Sequence, residues 1–88
     1  MATFAQRLQR AQKGGNLTVA DLARWFDRPY PTMRCWINGA EPGGGPIDRE
    51  TVIASMELLE AKIKARKGFP LKRMPPKERV RRIMEMRP

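Results

Sequence analysis

The sequence contains no histidine and only one cysteine, Cys35. A His/Cys zinc site and a disulfide framework are therefore excluded within one chain. A Ser-His-Asp or Cys-His catalytic pair is excluded on the same ground. The carboxylates read as helix caps or surface partners of Arg and Lys, and no catalytic pair is legible among them. The expectation is a protein that is not an enzyme, with no cofactor, no metal and no small-molecule substrate. No apolar run approaches the roughly 18 residues of a membrane span, and the N-terminus lacks the apolar core of a signal peptide. No membrane partner is expected, and a lone thiol fits a reducing, cytoplasmic setting. There is no repeat at a fixed period, no long low-complexity tract and no segment that reads as a strand.

What is present is 88 residues with a formal net charge of +9, enough for one small domain and a tail. The charge is unevenly placed. Up to residue 61 the basic groups (Arg7, Arg10, Lys13, Arg24, Arg28, Arg34, Arg49) are matched in number by Asp21, Asp27, Glu41, Asp48, Glu50, Glu57 and Glu60. Residues 62–88 carry the whole excess, with Glu78 and Glu85 their only acids. A neutral body with a basic extension is the outcome.

Apolar spacing predicts an all-α chain of four to five helices. Over 3–13, Phe4, Leu8 and Ala11 share a face, Thr3 and Gln6 form a capping box, and Gly14-Gly15 stops the helix. Over 18–26, Thr18 caps, Asp21 completes the box, and Leu17 staples to Leu22. Asp27-Arg28-Pro29 ends that helix, because the residue before proline is driven out of the helical region. A third helix spans 30–37 with Met33, Trp36 and Ile37 inward, and Asn38-Gly39 stops it. After a Gly/Pro loop, Asp48 caps a long helix over 49–66. Its apolar positions are Val52, Met56, Leu59 and Ile63, with Ile53 beside them. Gly68 and Pro70 end it. Residues 67–76 are a basic, proline-punctuated linker whose three apolar residues (Phe69, Leu71, Met74) can dock on the body. A short helix after Pro75-Pro76 carries Val80, Ile83 and Met84 on one face.

Two short helices joined by a tight turn, the second ending in Asn-Gly, make a helix-turn-helix pattern at 18–38. The stretch LTVADLARWFDRPYPTMRCWING, Leu17 to Gly39, resembles the helix-turn-helix of lambdoid phage repressors, Cro and the wider XRE family. Ala20 and Leu22-Ala23 stand where that family has an acidic-Leu-Ala run. Phe26 takes the apolar site before the turn, Thr32 and Met33 the small-polar and apolar sites of the recognition helix, and Trp36 its last apolar site. The chain departs from the family in two places. Asp27 stands where glycine is usual in the turn, and one long helix follows where two short ones are usual. The resemblance implies a recognition helix at 30–37 entering the major groove while the helix before it crosses the backbone. It implies base contacts from Tyr30, Pro31, Thr32, Arg34 and Cys35, with Arg34 able to form a bidentate pair with guanine. Phosphate contacts are expected from Thr18, Arg24 and Arg28, and from Lys72, Arg73, Lys77, Arg79, Arg81 and Arg82 of the extension.

Each feature has a plainer use. Phe4, Leu22, Phe26, Met33 and Trp36 read as core. Trp25, one step off the stripe, suits a core edge or a partner surface. The stripe Val52, Met56, Leu59, Ile63 serves a core or a helix–helix seam of a homodimer or higher homo-oligomer. The extension supplies phosphate affinity or mere solubility. The expected organisation is a helix-turn-helix domain at 1–66, with its long helix at 49–66, and a basic extension at 67–88. The expected function is sequence-specific binding of double-stranded DNA by a phage-like or bacterial transcriptional regulator. Two alternatives are a phage small terminase subunit, which recognises DNA for packaging, and a protein-interaction adaptor with a basic tail.

Overall fold

The computed structural model describes residues 2–43, 46–71 and 73–87, and for Pro46 and Ile47 the backbone alone. Five helices follow one another: α1 (Phe4–Gly15), α2 (Val19–Phe26), α3 (Tyr30–Ile37), α4 (Pro46–Lys64) and α5 (Pro76–Met86). No strand occurs among the described residues, so the chain is all-α. The Cα radius of gyration is 12.2 Å. A fully folded chain of this length gives about 12 Å, which leaves no room for a trailing extension.

Local chemistry sets most helix ends. Thr3 accepts from the Gln6 amide while the Gln6 side chain accepts from Thr3, and Thr18 and Asp21 repeat the arrangement at the start of α2. Asp27 closes α2 in the left-handed conformation, φ 54°, a role that glycine fills in most such turns. Pro29 precedes α3, and Gly39, at φ 118°, follows it.

Three boundaries differ from expectation. α1 runs on through Gly14-Gly15 and ends at Asn16, in the left-handed conformation at φ 53°. The glycine pair makes room instead. A Cβ on Gly14 would stand 3.2 Å from Ile63 Cγ2, and one on Gly15 3.2 Å from Ile63 Cδ1, so a side chain at either would press on Ile63 where α1 meets α4. α4 begins at Pro46, since proline suits a first helical turn. Asp48 thus lies inside the first turn, where its charge complements the helix dipole, and is not the cap. α4 ends at Lys64 through Arg66, left-handed at φ 56°, two residues before the glycine expected to stop it.

One core joins all five helices. Phe4, Phe26 and Trp36 meet edge to face with ring centroids 5.7–6.1 Å apart, tying α1, α2 and α3 together. Trp25 is buried. Its indole N–H donates to the Ser55 carbonyl of α4 at 3.0 Å, and its ring meets Phe69 edge to face. Its surroundings are core, not a partner surface. Val52, Met56 and Leu59 are buried in the same cluster and Ile63 packs against it, so the proposed seam stripe is covered from within the chain. Phe69, Leu71 and Ile83 belong to that cluster too. The boundary expected at residue 66 therefore does not separate two cores.

Candidate nucleic-acid interface

α3 lies on α1 and α2 through Met33 and Trp36, which leaves its opposite side free. Helical rotation sorts the expected base-contacting residues. Pro31 and Cys35 are exposed and lie outermost, and Cys35 carries a free thiol. Tyr30, 48% exposed, and Arg34, also exposed, lie on the flank toward the start of α2, where they line a cleft with Val19, Ile37 and Asn38. Thr32 is half-buried on the other flank. Four of the five thus share one continuous outer surface, and Thr32 sits at its margin. Among the described residues Arg34 has no carboxylate partner. A guanidinium carries five N–H donors in a planar fork that suits a planar acceptor.

The expected phosphate contacts divide sharply. Arg79 is not a free cation. Its Nε and Nη2 donate to Asp21 Oδ2 at 3.2 and 2.6 Å, and Nη2 also donates to the Asn16 carbonyl. The Asp21 side chain is 1% exposed and that of Arg79 16%. Burial pushes the Asp21 carboxyl upward, but hydrogen bonds from Arg79 and Thr18 outweigh it and hold the pKa below the usual carboxylate range. A buried charge needs such a partner, and Arg79 fills that role. Thr18 is also committed: its amide donates to Asp21 and its hydroxyl accepts from the Asp21 amide. Arg28 donates to the Phe26 and Asp27 carbonyls and lies 3.5 Å from Asp48. Arg24 lies 3.6 Å from Asp21 and keeps a side chain 38% exposed. Arg73, Lys77, Arg81 and Arg82 are exposed, and Arg81 lies 4.0 Å from Glu85. Lys72 is outside the described residues.

A second tie completes the attachment of α5. Arg87 donates to the Arg24 carbonyl at 3.1 Å and lies 3.6 Å from Asp27. Arg79 therefore engages the start of α2 and Arg87 its end, so α5 runs beside α2 in the same direction. Between them the outer face of α2 forms the floor of a groove of about 400 Å³, with Ala20 and Ala23 at its base. The start of α3 makes one wall through Arg28 and Tyr30, and α5 makes the other through Met84 and Arg87. Sequence reasoning does not find this groove. The one clue to it is that Arg79 and Arg87 can span Asp21 and Asp27 when two helices lie side by side.

No family model, no curated protein and no solved structure matches the chain. Among the described residues there is no group of three or more potential metal ligands, and no helix is long and apolar enough to cross a membrane.

Proposed function

We propose that this chain is a sequence-specific double-stranded DNA-binding protein that reads the major groove with the outer face of α3, as a transcriptional regulator of the Cro-like kind does. The observation that carries this reading is the α2–Asp27–α3 unit, with Arg34 exposed, flanked by Tyr30 and Cys35, and without a carboxylate partner among the described residues. The left-handed Asp27 supplies the turn for which glycine is usual. A regulator is preferred over a packaging subunit because the feature that invites the latter, the stripe Val52, Met56 and Leu59, is consumed by the chain's own core. It is preferred over a tail-borne adaptor because Arg79, Arg87, Phe69 and Leu71 of the extension are engaged with the body.

Selection from a random duplex pool tests the reading. The full chain is expected to enrich a defined site. Arg34→Ala is expected to lose about 1–3 kcal/mol on that site and to relax one base position. Loss that is uniform across all sequences would make Arg34 a phosphate contact, and failure to enrich any site would refute the reading. Light scattering separates the packaging alternative, for which a ring of many subunits is expected.

A further inference from the structure

We infer that the groove over α2, walled by α3 and α5, seats the sugar–phosphate backbone of one DNA strand, which makes α5 a fixed wall of the DNA interface. This rests on the DNA-binding reading above and adds a surface to it. The groove adjoins the reading face directly, because Tyr30 lines both the cleft beside Arg34 and the groove over α2. Its charge is complementary to phosphate. Arg24, Arg28 and Arg87 line it against one lining acid, Asp27, and each of the three also lies within 3.6 Å of a carboxylate, that of Asp21, Asp48 and Asp27 in turn. Its floor of Ala20 and Ala23 lets a strand approach the helix closely, and Tyr30 and Met84, 48% and 47% exposed, offer apolar surface to sugar rings.

The register of α5 then separates its cations. Lys77 and Arg81 share a helical stripe with Met84, the residue that lines the groove. Arg82 lies on the opposite flank, against Arg66, Phe69 and Leu71. Cations of equal charge on one short helix thus stand on the DNA side or away from it. A uniform electrostatic attraction would not distinguish them; a seated strand would.

The test measures duplex affinity against salt for single Gln variants of the full chain, using the selected duplex. Lys77→Gln and Arg81→Gln are expected to lower the slope of log affinity against log salt by about 0.9 for each phosphate no longer neutralised. Arg66→Gln and Arg82→Gln are expected to leave it unchanged. Met84→Glu places a negative charge in the groove at an exposed position. It is expected to weaken binding at least tenfold with an unaltered thermal transition. Equal slope changes on both flanks, or none on either, overturn the inference while leaving site selection intact. Unaltered DNA binding by Met84→Glu also overturns it and points to another occupant, such as an acidic peptide. A full chain that selects no duplex removes the DNA-binding reading and this inference together.

Discussion

Asp21 has three tasks within one carboxylate. It completes the capping box of α2, neutralises Arg79 and anchors α5, all while 1% exposed. Its pKa is lowered on folding, so the stabilisation is present above the unfolded value near 4 and is lost as pH falls through the folded one. Denaturant melts between pH 7 and pH 2 are expected to show constant Asp21 stabilisation down to about pH 4 and a decline below it. Asp21→Asn is expected to be less stable at pH 7, with the gap to the parent narrowing as the acid limb is descended. A gap independent of pH would mean that the Asp21 pKa is not lowered on folding. The capping role of Asp21 is local and is legible from Thr18 three positions earlier. The pairing with Arg79 spans 58 positions and leaves no mark on local sequence.

Helix boundaries show the same division between local and distant causes. α2 and α3 match their expected spans because capping box, turn residue and Pro29 act within a few positions. The end of α1 departs from its expected place because Gly14-Gly15 answers to Ile63, far along the chain, rather than to helix termination. Of the candidate reading face, the exposed side of α3 is legible from its periodicity. The groove beside it is not, because one of its walls belongs to the extension. The α2–α3 turn is the most exacting local feature, since Asp27 holds φ 54°. Asp27→Val is expected to cost about 1–2 kcal/mol, as a β-branched residue is strained in that region. Asp27→Gly is expected to keep the turn and lose only the weak, exposed pairing with Arg87. Thermal denaturation of the two variants checks this, and equal losses would show that the side chain matters rather than the backbone.

At the scale of the whole molecule, the excess positive charge and the fold are not separable. The segment holding that charge also places Phe69, Leu71 and Ile83 in the core, 4%, 2% and 0% exposed. Each buried side chain contributes about 1.5–3 kcal/mol, against a total stability of roughly 5–15 kcal/mol for a domain. Removal of residues 67–88 is therefore expected to abolish the cooperative thermal transition. A truncated chain that melts as the full one does would mean that the body is self-sufficient. Charge must accordingly be probed by single replacements on the surface of α5, never by truncation.

The DNA-binding reading requires that α3 present its outer face to the major groove. Its most direct test is an amide chemical-shift titration of the full chain with a duplex recovered from the random pool. The predicted result is saturable shifts centred on Tyr30, Arg34, Cys35 and Asn38, extending to Ala20 and Arg24, with Ala54 and Ala61 on the exposed side of α4 unmoved. Shifts centred on α4, or confined to the cations of the extension with α3 unmoved, would contradict it.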